Sequence, residues 1–60
     1  MERGFLMTFL YKSLETFEFT YGGEYPVVRT IMMGERVRGY ICIDNLGDES
    51  YVPSSAGIVY

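Results

Sequence analysis

Val37-Arg38-Gly39-Tyr40-Ile41-Cys42-Ile43-Asp44 is the stretch on which the fold turns. Val37, Gly39, Ile41 and Ile43 alternate with Arg38, Tyr40, Cys42 and Asp44, and a period of two sends successive side chains to opposite faces of a strand. The expected inward set is the aliphatic one, since a one-residue slip would exchange the two faces. Toward the N-terminus, Gly34-Glu35 marks a tight turn. Tyr25 to Met33 reads as a second strand rich in β-branched residues, with Pro26 arguing for an edge strand or a strand start. Before the Gly22-Gly23 break, Phe17, Phe19 and Tyr21 alternate with Glu18 and Thr20, which predicts a further strand with its aromatics on one face. Toward the C-terminus, Asn45-Leu46-Gly47-Asp48 is a turn cluster and Glu49 to Val52 a hairpin arm. Pro53-Ser54-Ser55 stops pairing, a single helical turn capped by Ser and ended by Gly57 follows, and Ile58-Val59-Tyr60 forms a last strand. Thr8 to Lys12 is apolar, with Phe9 and Tyr11 on one side, and its pattern leaves strand and helix open. No window sustains the three-and-four spacing of an amphipathic helix. The expected class is all-β: a small barrel of five to six short antiparallel strands with a 3₁₀ turn near Pro53 to Ala56.

The chain has 60 residues, 48% of them hydrophobic, 17% aromatic and 22% charged, which suits one small folded domain and excludes an intrinsically disordered tail. Such a domain buries too little surface to be more than marginally stable. With a single cysteine and no histidine it can form neither an internal disulfide nor a Cys/His zinc site, so self-association or a partner is the expected extra support. The net charge of −3 repels phosphate backbones and weighs against general nucleic-acid binding. No apolar run is long enough to cross a bilayer, and Met1 to Met7 lacks the h-region of a signal peptide. A lone Cys42 suits a reducing cytoplasm. Glu2-Arg3-Gly4 can be encoded by a purine run resembling a bacterial ribosome-binding site, so the natural start is read as Met1 or Met7. Residues 1–6 are then an unstructured leader and residues 7–60 the domain.

Chemistry-bearing patterns are sparse, and no catalytic residue, cofactor or metal is expected. Ser50, Ser54 and Ser55 sit in turn-like sequence without a nucleophile elbow. Asp44, Asp48 and Glu49 surround a turn but lack the spacing of a calcium loop, and neither Gly22-Gly23 nor Gly34 leads a phosphate-binding helix. Cys42 is either an outward thiol near Arg38 or a small packing residue. What stands out is aromatic excess, with six tyrosines and four phenylalanines. Phe17, Phe19, Val27, Ile41, Ile43, Val52 and Ile58 suffice for a barrel core. That leaves Tyr21, Tyr25, Tyr40, Tyr51 and Tyr60 for the surface, with Met32-Met33 as an adaptable rim and Arg36 and Arg38 alongside. The candidate partner-binding set is therefore Tyr21, Tyr25, Met32, Met33, Arg36, Arg38, Tyr40 and Tyr51. The rival is a nucleic-acid strip built from Arg29, Arg36, Arg38 and Tyr40.

Three passages resemble SH3-like barrels. Glu18-Phe19-Thr20-Tyr21-Gly22-Gly23-Glu24-Tyr25-Pro26-Val27-Val28 is similar to the passage leading their diverging turn. Gly39-Tyr40-Ile41-Cys42-Ile43-Asp44 sits where their central strand belongs, and Gly47-Asp48-Glu49-Ser50-Tyr51-Val52-Pro53-Ser54-Ser55 is similar to the passage entering their 3₁₀ turn. The pattern is closer still to very small SH3-like proteins of uncharacterised function found in bacilli and their phages. The resemblance implies a non-enzymatic cytoplasmic module contacting a host protein or a second copy of itself. It carries proline-rich peptide recognition only weakly: the groove tryptophan, due near Gly39-Tyr40, is missing, Ala56 stands where a groove tyrosine falls, and only Tyr11 and Pro53 match.

Overall fold

The computed structural model describes residues 7–60, so the expected leader lies outside the described residues. The described residues form five strands and a short 3₁₀ turn. These are β1 (Thr8–Tyr11), β2 (Glu24–Met33), β3 (Arg36–Ile43), β4 (Glu49–Pro53), the turn η1 (Ser54–Ala56) and β5 (Gly57–Val59). All pairings are antiparallel, in the order β4-β3-β2-β1-β5. The class is all-β, as the alternation indicated. Barrel closure is corrected: β4 and β5 end the sheet without pairing to each other, because η1 takes up the chain between them and β5 has only three residues.

β2 and β3 are joined by the two-residue turn Gly34-Glu35, with Gly34 at φ 62°, the glycine-first pattern of a type II′ hairpin. The β3–β4 turn is held by Asp44, whose N–H donates to the Asp48 carbonyl at 2.9 Å. Its carboxylate accepts the N–H groups of Leu46 and Asp48, each at 2.9 Å, and the Ser50 hydroxyl. The Ser50 bond, followed by those from Asp48 and Leu46, holds the Asp44 carboxyl below its ordinary 3.8 against the opposing effect of desolvation. A depressed folded-state pKa gives stability that is fully present above the unfolded value and lost as pH falls through the folded one. Unfolding monitored by circular dichroism is thus expected to ease as pH drops below about 4, and Asp44→Asn removes that acid-dependent part. An unchanged pH profile in the variant would contradict the assignment.

The core consists of Phe9, Tyr11, Phe19, Tyr25, Val27, Cys42, Val52 and Ala56, with Tyr40 and Val59 packed against it. This inverts the expected faces of β3. Tyr40, Cys42 and Asp44 point inward, while Ile41 and Ile43 lie on the outer side with their cross-strand partners Tyr51 and Glu49. Both sets are apolar enough for either solution, and the inward one sets Tyr40 against the Phe9 ring. The phenols reach acceptors at the rim: Tyr11 donates to the Leu14 carbonyl at 2.6 Å and Tyr25 to Asn45 Oδ1 at 2.8 Å. Val37 also leaves the expected set. Register shifts follow Val27 and Ile31: the first turns Arg29 outward opposite Ile41, and the second leaves Arg38 unpaired. Met32, next to the outward Ile31, faces the other way together with its partner Val37, and Met33 with Arg36 returns to the outer side. Ile58, assigned to the core by sequence, is 54% exposed.

Pro26 sits in a central strand, so the edge alternative fails, and it lies near the start of that strand, as the other alternative has it. Val27 donates its N–H to the Met7 carbonyl on the β1 side, so the proline nitrogen faces the β3 side, just before the first β2–β3 rung at Val27 and Cys42. No ladder bond is lost there. Gly57 does not end η1 through a left-handed conformation, since its φ of 176° is extended, and no serine caps the turn. A side chain at Gly57 would meet the Leu10 carbonyl oxygen and sit 2.8 Å from the Phe9 ring, so close approach explains the glycine.

The predicted strand over Phe17 to Tyr21 is absent. Lys12 to Gly23 is an irregular β1–β2 loop in which Phe19 is buried, whereas Phe17 is 88% and Tyr21 61% exposed. The backbone partners of Phe17 to Tyr21 are local or come from the β3–β4 turn, so no strand neighbour forms. Thr16 donates to the Phe19 carbonyl at 2.8 Å, and the Asn45 N–H donates to the Glu18 carbonyl at 2.8 Å. Asn45 Nδ2 donates to the Phe17 carbonyl at 3.2 Å and to Thr20 Oγ1 at 3.1 Å. Phe19 anchors the loop, stacked on Tyr11 at 5.1 Å and edge-on to Tyr25 at 5.0 Å. Asn45→Ala is expected to cost about 1–2 kcal/mol and to speed amide exchange at Phe19 and Thr20 more than in β2 or β3. An equal change in exchange at Phe19, Thr20 and the β2 and β3 amides would rule out this clamp.

Candidate interaction surface

Residues directly opposite in a ladder share a face, which builds the outer side of β2–β3–β4 row by row. One row is Arg29, Ile41 and Tyr51; the next is Ile31, Gly39 and Pro53; Ile43 and Glu49 lie beyond them. Gly39 has no side chain because a Cβ there would stand 2.5 Å from the Val52 carbonyl oxygen and 2.6 Å from the Tyr51 hydroxyl oxygen. Laid across Gly39, Tyr51 donates to the Arg38 carbonyl at 3.3 Å and stays 45% exposed. Ile31, Ile41 and Ile43 are half-buried on the same side. The sheet thus has two apolar faces, and the core packs on one of them.

The distal end of the β2–β3 hairpin extends this face with exposed Met33 and Arg36, and presents Met32, Val37 and Arg38 on its other side. Between Arg29 and Arg38 the one acidic residue is Glu35. Asp44, Asp48 and Glu49 cluster at the opposite end of β3, where Glu18 is tied to the same turn through Asn45. Charge is therefore segregated along the strand axis.

Of the sequence-derived site residues, the structure brings Met32, Met33, Arg36, Arg38 and Tyr51 together on the hairpin and the adjoining β4. Tyr21 is exposed but lies in the loop before β2, ten residues of strand away from Met33. Tyr25 is corrected from surface to core, with 6% exposure. Tyr40 is half-buried on the inner side, 5.5 Å from the Phe9 ring, opposite the face that carries Arg29. Sequence reasoning missed Ile31, Ile41 and Ile43 as surface residues. The available signal was Gly39 within the aliphatic set, a gap that an exposed ring fills more readily than a close-packed core does.

A concavity of about 380 Å³ lies between the β1–β2 loop, through Tyr11, Glu18 and Phe19, and β4, through Tyr51, Val52 and Pro53. It holds the two residues that match the SH3 pattern, Tyr11 and Pro53, although the Tyr11 hydroxyl is already bonded to Leu14. Cys42 is fully buried, and desolvation pushes its thiol up to about 11. A neutral, enclosed thiol is unreactive. A disulfide reagent at neutral pH is therefore expected to label Cys42 only at the rate of unfolding, and labelling as fast as a free thiol would contradict its burial. Among the described residues no group of three His, Cys, Asp or Glu side chains could hold a metal, and no helix is long and apolar enough to cross a membrane.

No family model, curated protein or solved structure matches this chain. The SH3-like resemblance therefore rests on the sequence passages alone, and function has to be argued from the surface.

Proposed function

We propose that the chain is a non-enzymatic protein-interaction module whose binding surface is the outer side of β2–β3–β4 with the adjoining hairpin end. The observation that carries this reading is the second apolar face of the sheet, with Tyr51 laid across Gly39 at its centre. Tyrosine and methionine offer large, adaptable contact area, and arginine at the margin adds directional bonding, the composition typical of interface centres. The candidate nucleophiles support no rival chemistry: Ser50 is bonded to Asp44, and Cys42 is enclosed and protonated. The resemblance to small bacterial and phage proteins favours a cytoplasmic role in redirecting a host protein.

The grouping of Arg29, Arg36 and Arg38 on one hairpin favours a second reading, nucleic-acid binding. Salt separates the two, because phosphate contacts weaken steeply with ionic strength and an apolar interface scarcely responds. The test compares wild type, Tyr51→Ala and Ile41→Glu as immobilised baits across a salt series. Retention of a specific protein by wild type alone, insensitive to salt, is the expected result. Equal retention by all three baits, or salt-sensitive nucleic acid as the retained species, would overturn the proposal.

A further inference from the structure

We infer that the outer face of β2–β3–β4 packs on the same face of a second copy, about a two-fold axis that crosses the strands at right angles near Tyr40. This rests on reading that face as an interaction surface and names its occupant. A two-fold interface must be self-complementary, so the rotation must not set like charges against each other. With the axis across the strands the outer face meets this condition. Arg36 lies four residues to one side of Tyr40 on β3, and Asp44, where the acidic turn begins, lies four residues to the other. Rotation about an axis at Tyr40 places Arg36 over the partner's acidic turn, where Glu49, the outward partner of Ile43, is within reach of a long side chain. The same operation occurs twice, flanking a middle of Ile31, Ile41 and Ile43 with Tyr51.

An axis along β3 instead sets Arg36 over Arg36 and acidic turn over acidic turn. Charge therefore selects the crossed axis. It also carries Arg29 over the partner's Ile31 rather than over Arg29, because the two lie on β2 in rows equidistant from Tyr40. At ordinary strand spacing and rise, three strands over eight residues present about 380 Å² of sheet per copy. That is under half of the ~800 Å² per partner in a standard interface, which places the dimer in the weak class, in the micromolar-to-millimolar range.

Sedimentation equilibrium on the full chain from about 10 μM to about 1 mM spans that range, comparing wild type with Arg36→Glu, Glu49→Arg and the Arg36→Glu/Glu49→Arg pair. The expected result is a wild-type mass that rises toward twice the monomer. Each single variant should dimerise at least about tenfold more weakly, and the double variant should return to within about threefold of wild type. Amide spectra of each variant establish that the monomer is folded. A wild-type chain that stays monomeric at the highest concentration, or a dimer that the single substitutions leave intact, would overturn the proposal. If wild type is monomeric while Ile41→Glu still abolishes protein retention by the bait, the second copy is excluded and the surface reading stands. If dimerisation fails and Ile41→Glu retains the same protein, both fall.

Discussion

Phe9→Ala is expected to leave most of the chain unfolded at 25 °C. Phe9 is completely buried, lies opposite Tyr25 on β2 and Val59 on β5, and tilts against Tyr40 of β3 at 5.5 Å. Gly57 is side-chain-free beneath the same ring, so one side chain fills the junction of four strands. Removing a buried phenylalanine costs about 3–5 kcal/mol, and a core of this size rarely supplies more than about 3–5 kcal/mol in total. Phe17→Ala makes the contrast. A pattern reading puts Phe17 in the core beside Phe19, but the ring is 88% exposed, and its loss is expected to stay within about 0.5 kcal/mol. Urea unfolding followed by circular dichroism measures both. Equal losses, or a larger loss for Phe17, would contradict the packing.

The two phenylalanines also show where sequence was informative. Turns were legible because their chemistry is local: Gly34 takes a positive φ in the β2–β3 hairpin, and the Asp44 to Asp48 cluster closes the next one. Strands β2 to β5 and the 3₁₀ turn followed from those punctuation marks and from alternation. Alternation failed at Phe17 to Tyr21, because a period of two describes side-chain placement but does not supply a neighbouring strand. That stretch is held by Asn45, twenty-eight residues after Phe17. It also left the inward face of β3 undetermined, because Tyr40 and Cys42 are as buryable as Ile41 and Ile43. Which pair wins depends on long-range partners: Phe9 beside Tyr40 on one side, the Tyr51 ring over Gly39 on the other. Of the candidate site, the methionines, Arg36, Arg38 and Tyr51 were recoverable as surface residues. The isoleucines were not, since aliphatic side chains in a strand read as core.

The orientation of β3 sets both the core and the proposed surface, and a matched pair of adjacent substitutions reads it out. Glutamate at Cys42 puts a carboxylate in place of a fully buried thiol, with no compensating partner among the core residues around it. Burying an unpaired charge costs several kcal/mol, enough to abolish folding here. Glutamate at Ile41 enters the outer row between Arg29 and Tyr51, where water and a cation are at hand, and costs far less. The decisive measurement is the amide correlation spectrum of the two variants at matched concentration. A dispersed, folded spectrum for Ile41→Glu beside a collapsed one for Cys42→Glu is the predicted result. A folded Cys42→Glu with an unfolded Ile41→Glu would mean that the isoleucines form the core and that the surface described here does not exist.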